Sequence, residues 1–204
     1  MVLNDTQLRA LIEEGMIEGI ESGQLRETNV VSSGISSFGV DARLGSTNYE
    51  IKDHSGISYS KEGICRIPIV DPKDFDKDTL AKTTMDVHQS DNGKYILVPP
   101  HGFVLGHTIE YFKIPRDVLV FCIGKSTYAR CGLLVNTTPL EPEWEGQVTL
   151  ELHNTTNLYI KVYVEEGICQ FIYLKGEPCE TSYRDRKGKY MGQRGVVFPR
   201  IKRA

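Results

Sequence analysis

The chain has 204 residues, 40% of them hydrophobic and 25% charged, which is enough apolar material for one packed domain and too much for a disordered polymer. A formal net charge of -3 supplies no global basic field for DNA or RNA, so nucleic acid is not an expected partner. No run approaches the roughly eighteen apolar residues of a membrane span, and Met1-Val2-Leu3-Asn4-Asp5 is not a charged leader region; a cytoplasmic protein without a membrane partner is expected.

In chain order, residues 5–15 come first. A capping residue, apolar positions at Leu8, Leu11 and Ile12, acidic residues on the other face and a terminating Gly15 predict a short amphipathic helix. From about residue 24 to 90, clusters of glycine, serine and aspartate separate short β-branched runs. Irregular, β-rich structure with long loops is expected there, with Val70-Asp71-Pro72-Lys73-Asp74-Phe75 forming a turn or a single helical turn.

From residue 94 the strand signal strengthens. Seven short strands are expected at 94–98, 102–110, 117–123, 133–137, 146–153, 158–164 and 168–174, punctuated by Pro99-Pro100-His101-Gly102, Ile114-Pro115-Arg116-Asp117 and Glu165-Glu166-Gly167, the pattern of a barrel or jelly roll. Five cysteines, Cys65, Cys122, Cys131, Cys169 and Cys179, are an odd number without a Cys-x-x-Cys pair, and several lie in apolar runs. They read as buried thiols of a reducing compartment. The last thirty residues are rich in charge and glycine and offer little to a core; they read as an arm or lid, with an ordinary disordered terminus as the alternative.

Two segments carry chemistry. The first is Gly124-Lys125-Ser126-Thr127-Tyr128-Ala129-Arg130. It resembles the end of a P-loop, but Leu119 stands where that motif needs its other glycine. A strand end leading into a helical turn still exposes unpaired N–H groups, and Lys125, Ser126 and Thr127 add donors suited to phosphate oxygens. If residues 126–132 are helical, Ser126 and Arg130 share a face. Taken alone, these residues favour a capped surface turn. The second segment is Gln147-Val148-Thr149-Leu150-Glu151-Leu152, where strand alternation puts Val148, Leu150 and Leu152 on one face and Thr149, Glu151 and His153 on the other. Taken alone, it is a sheet with one wet side.

Both segments, together with Gly39-Val40-Asp41-Ala42-Arg43-Leu44, Thr108-Ile109-Glu110-Tyr111-Phe112, Pro139-Leu140-Glu141-Pro142-Glu143-Trp144-Glu145-Gly146 and Gly188-Lys189-Tyr190-Met191-Gly192-Gln193-Arg194-Gly195, resemble in type and order the dCTP deaminases, close relatives of the trimeric dUTPases. The resemblance spans most of the chain. It implies a mainly β fold, a distorted jelly roll or barrel of the dUTPase type with a short N-terminal helix. Residues 1–204 would form a single domain, with 181–204 as its arm or lid. It also implies hydrolytic deamination of dCTP to dUTP and ammonia, supplying dUTP for thymidylate synthesis.

The site implied by the resemblance is specific. Lys125, Ser126, Thr127, Tyr128, Ala129 and Arg130 would bind the nucleotide, with Ser126 and Arg130 next to the chemistry. Thr149, Leu150 and Glu151 would line the cytosine pocket, with Glu151 moving protons between the attacking water, ring N3 and the leaving amine. Gln170, Tyr183, Lys189 and Gln193 match further nucleotide contacts. Glu141 stands where the wider superfamily carries an aspartate; a contact with the deoxyribose 3′-hydroxyl and a plain turn beside a partly buried Trp144 both fit. Sites at the subunit interfaces of a homotrimer and feedback by dTTP are implied as well.

Zinc deamination needs a His-x-Glu and a Pro-Cys-x-x-Cys, and the chain has neither. His54, His88, His101, His107 and His153 show no pairing at three or four residues, so no protein-bound zinc is expected, and Mg²⁺ is expected only with the triphosphate. Two rival readings remain at this level: a bifunctional dCTP deaminase/dUTPase forming dUMP and pyrophosphate, and a non-catalytic nucleotide-sensing module.

Overall fold

Helix α1 spans Asp5–Glu13 in the computed structural model, which describes residues 1–20, 23–51, 58–59, 65–66, 70–77, 81 and 84–200. Asn4 caps the helix: Asn4 Oδ1 accepts from Gln7 N and Gln7 Oε1 accepts from Asn4 N, both at 3.1 Å, which satisfies two otherwise orphaned N–H groups. Gly15, at φ 94°, ends the helix where a side chain would be strained.

The stretch from 24 to 90 is as irregular as its composition suggests. After β1 (Ile17–Glu18) it contributes β2 (Gly34–Ser36), β3 (Gly39–Arg43), β4 (Tyr49–Ile51), β5 (Ser58–Tyr59), β6 (Cys65–Arg66) and β7 (His88–Ser90). A turn follows Asp71, whose carbonyl accepts from Asp74 N at 3.2 Å and whose side chain accepts from Lys73 N at 2.8 Å. Parts of this expected region, at 52–57, 60–64, 67–69, 78–80 and 82–83, lie outside the described residues, as do 201–204 of the tail.

The seven strands expected after residue 94 are all present: β8 (Gly93–Val98), β9 (Phe103–Lys113), β10 (Val118–Gly124), β11 (Leu133–Asn136), β12 (Glu145–Asn154), β13 (Ile160–Tyr163) and β14 (Gly167–Lys175). One sheet runs β1-β9-β12-β11 with β4 also on β9, and a second runs β10-β14-β3-β2; β13-β8-β7 and β5-β6 form smaller sheets. All named strand pairs are antiparallel.

The two larger sheets meet across one core, where Phe112 of β9 packs on Phe171 of β14 with ring centroids 4.9 Å apart and Leu150, Leu152, Val104 and Val120 are fully buried. This is the distorted jelly-roll arrangement. An ion pair reaches into it: Arg43 Nε and N donate to the two carboxylate oxygens of Glu110 at 2.8 and 3.0 Å, and the Glu110 side chain is 0% exposed.

Two expectations need correction. Cys169 is buried and Cys122 and Cys179 are partly so, but Cys131 is exposed, because it falls in the turn after the short helix described below rather than on a strand. The tail also packs more than its polarity suggests. Ser182 is fully buried, Tyr183 lies against the core, and Phe198 stacks on Phe75 with centroids 5.7 Å apart.

Candidate active site

The site is built on β12. Burial alternates along it, with Val148, Leu150 and Leu152 in the core and Thr149 and Glu151 half-buried on the other face. Glu151 is held between Asn136 of β11 and Leu105 of β9 in the ladder. Among the described residues no side chain pairs with its carboxylate, and burial pushes its pKa up to about 7, with its own backbone N–H opposing weakly. A carboxyl poised there exchanges protons in both directions near neutral pH. Leu150 turns its side chain into the core, so only its backbone faces the same space.

That space is a cavity of about 1480 Å³ lined by, among others, Glu141, Trp144, Thr149, Glu151, Tyr183 and Lys189. The tail forms one wall. Gln193 Nε2 donates to Gln147 O at 2.7 Å and lies 3.5 Å from Thr149 Oγ1, and Val197 N donates to Thr149 Oγ1 at 3.2 Å. Gln147 N and Gln193 O pair at 2.9 Å. Trp144 Nε1 donates to Tyr190 O at 3.1 Å. Glu141 accepts from the Arg186 guanidinium, and Trp144 behind it is buried. The Glu141 segment is thus a turn over a buried tryptophan with its carboxylate at the cavity wall.

The Lys125–Arg130 group lies elsewhere. β10 stops at Gly124 and a single helical turn, α2 (Ser126–Ala129), follows. It is shorter than the 126–132 helix considered above, because Gly132 at φ 84° turns the chain. Arg130 Nη1 donates to Ser126 Oγ at 3.3 Å, and both side chains are exposed with Thr127 and Ala129. Tyr128 is buried, its hydroxyl accepting from Tyr163 N at 3.0 Å. Lys125 is committed inward, with Nζ 2.7 Å from Asp41 Oδ2 and 3.0 Å from Ser32 Oγ. Gln170 pairs across the ladder with Ile123 and donates to Ser36 Oγ at 2.7 Å.

Within one chain, then, the expected residues form two sets. Glu141, Thr149, Glu151, Tyr183, Lys189 and Gln193 share the cavity, whereas Lys125 to Arg130 and Gln170 do not line it. Apolar side chains are exposed beside the second set: Phe121, Ile123 and Leu134 on β10 and β11 are 41%, 53% and 56% accessible.

Sequence reasoning missed Arg186, Tyr190 and Trp144 as cavity walls. The Lys189-Tyr190 dipeptide and the lone tryptophan were visible, but nothing local says which way they face. No group of three or more His, Cys, Asp or Glu side chains that could hold a metal occurs among the described residues, and none of the described helices is long and apolar enough to cross a membrane.

Comparisons with known proteins converge. The profile of the dCTP deaminase-like family matches residues 2–176. The dCTP deaminase of Rhodospirillum centenum is 50% identical over 202 residues, covering 98% of this chain and 99% of that protein, and the dCTP deaminase of Gluconobacter oxydans is 49% identical with the same coverage. In fold, the chain is similar to the crystal structure of 2′-deoxycytidine 5′-triphosphate deaminase from Agrobacterium tumefaciens. The TM-score is 0.58 at 17% identity, over 86% of this chain and 48% of that one.

Proposed function

The chain belongs to the dCTP deaminase-like family, and we propose that its β12 cavity is where this enzyme deaminates dCTP. The observation that carries the assignment is Glu151, a carboxyl facing that cavity with its pKa near 7 and no paired cation among the described residues. The attacking water gives one proton to the Glu151 carboxylate as its oxygen bonds to C4 of cytosine, and the carboxyl passes that proton to ring N3. The new C4 hydroxyl then gives up its remaining proton, which the same carboxylate carries to the amino nitrogen as C4=O forms and the C4–N bond breaks, releasing ammonia and dUTP. The dUTP then feeds thymidylate synthesis.

Thr149, the Leu150 backbone and Gln193 frame the base beside Glu151, Glu141 meets the sugar, Tyr183 offers stacking area to the base or sugar, and Lys189 reaches the triphosphate. The 181–204 segment acts as an arm over the nucleotide within a single domain. Its docking through Gln147, Thr149 and Trp144 supports that role, since a closed arm excludes water and strengthens charge contacts. Mg²⁺ enters with the triphosphate as its counter-ion.

Ser126 and Arg130 complete the site from a neighbouring subunit of a homotrimer. Support for this comes from their separation from the cavity and from the exposed Phe121, Ile123 and Leu134 next to them, an apolar face that a second subunit would cover. Lys125, bonded to Asp41 and Ser32, anchors the start of the α2 turn, while Gln170 bonds Ser36 of β2. The enzyme works in the cytoplasm, with dTTP as a feedback ligand of the same site. The decisive experiment incubates purified enzyme with dCTP and Mg²⁺ and separates the products: ammonia with dUTP supports this reading. Ammonia with dUMP and pyrophosphate identifies the bifunctional enzyme, and binding without turnover identifies a sensing module.

A further inference from the structure

Arg116 sits in the Ile114-Pro115-Arg116-Asp117 turn between β9 and β10 and does not line the cavity. Its guanidinium nevertheless makes four hydrogen bonds, three to the start of the C-terminal segment and one to the Glu143 turn. Nε donates to Cys179 O at 3.0 Å and Nη1 to Glu143 Oε2 at 2.7 Å. Nη2 donates to Glu180 O and to Asp185 Oδ2, both at 2.7 Å. Asp185 Oδ2 also accepts from Ser182 N at 3.0 Å, and Asp185 N donates to Ser182 Oγ at 3.2 Å.

Three of the four partners are the root of the tail, immediately before and after Ser182 and Tyr183. The fourth, Glu143, is the apex of the turn that carries Glu141 and Trp144 to the cavity. Glu143 has φ 60°, a region unfavourable for a residue with a side chain, and its carboxylate bond to Arg116 helps hold that conformation. The same turn receives the tail directly through Tyr183 N to Pro142 O at 3.0 Å. A planar fork with several fixed donors suits this task, and an ammonium on a flexible stem does not.

We propose that Arg116 is a positioning residue for dCTP deamination: it clamps the root of the C-terminal arm to the Glu143 turn, so that Tyr183, Lys189 and Gln193 reach the nucleotide from a preset direction. This rests on the arm reading under Proposed function. An arm that is correctly seated only a fraction of the time weakens apparent substrate affinity by that fraction, while the chemistry of the seated state is unchanged. Arg116 and Asp185 are 38% and 43% exposed, and water competes for such pairs. The expected effect of losing the clamp is therefore a rise in KM of about two- to fivefold and not an inactive enzyme.

The test uses the full-length protein with Arg116→Gln, Arg116→Lys, Asp185→Asn and the Arg116→Gln/Asp185→Asn double variant, beside Lys189→Ala as a probe of the arm itself. Steady-state kinetics with dCTP are read together with the emission of Trp144, the only tryptophan, whose indole donates to Tyr190 O of the arm. We expect Arg116→Gln and Asp185→Asn to raise KM with kcat kept within about twofold, the double variant to be no worse than Arg116→Gln, and Arg116→Lys to recover only part of the loss. Trp144 emission should shift in the ligand-free variants and return at saturating dCTP. Wild-type KM in both Arg116→Gln and Asp185→Asn, with Lys189→Ala impaired, overturns the clamp and leaves the arm reading standing. Wild-type kinetics in all three overturn the arm reading and the clamp with it. A fall in kcat at unchanged KM also overturns the clamp. If Arg116→Gln fails to fold, Asp185→Asn, which cuts only the tail side, decides alone.

Discussion

Replacing Glu151 by glutamine should do two opposite things at once. The amide retains the shape of the carboxyl but cannot take the water's proton, so ammonia release should fall by about 10² to 10⁴-fold, the usual worth of general acid/base catalysis. Stability should rise, and only at higher pH. Burial lifts the Glu151 carboxyl from an ordinary value of 4.5 to about 7, so folding favours its neutral form. The penalty for ionising it is absent below about pH 4.5, grows as pH rises to about 7 and is complete above that.

At about 1.4 kcal/mol per tenfold, the difference has a ceiling of about 3 kcal/mol. The group is partly exposed, and solvent screening reduces this to about 1–2 kcal/mol. For a chain of this length that corresponds to a rise in melting temperature of about 2–8 °C at pH 8, shrinking towards zero near pH 4.5. Thermal melts of both proteins across that range, with Trp144 fluorescence confirming that the variant still binds dCTP, make the measurement. A stability change independent of pH, or retention of more than about a tenth of wild-type turnover, would refute a buried, proton-shuttling Glu151.

Because Glu151 must be ionised to accept the water's proton, kcat/KM for dCTP should decline about tenfold per pH unit below about 7; a flat profile from pH 5 to 8 would show that another group takes the proton. Dialysis against a strong zinc chelator followed by return of Mg²⁺ should leave deamination intact, whereas activity lost with bound zinc and restored by zinc alone would contradict the proposed mechanism. Arg43→Ala strands the fully buried Glu110 carboxylate and should destabilise the fold by about 3–5 kcal/mol in chemical denaturation. Gly188→Ala would place a Cβ 2.0 Å from the Tyr183 ring, so the ring must move; KM should rise with kcat largely kept, and unchanged kinetics would remove Tyr183 from the binding surface.

Much of the fold was legible because the signals are local. Period-two alternation in β8 to β14 located all seven strands to within a few residues, and the face presented by Glu151 followed from its buried neighbours Leu150 and Leu152. The tail was misjudged for the complementary reason. Its composition is polar, yet Ser182 is buried and Tyr183 packs on the core while its N–H donates to Pro142 O, and composition carries no information about which backbone groups a segment will meet.

By itself the sequence determined which residues alternate, where strands break, and which donors and carboxylates are present in the family's order; these follow from side-chain period and turn chemistry over a few neighbouring residues. Only the tertiary structure decided that Lys125 is spent on Asp41, 84 residues away, that Arg116 binds Asp185, 69 residues away, that α2 and Glu151 occupy different surfaces of one chain, and that Glu151 titrates near 7. Desolvation and ion pairing depend on what distant segments bring to within a few ångströms of a charge, and that is set by how the sheets close over one another.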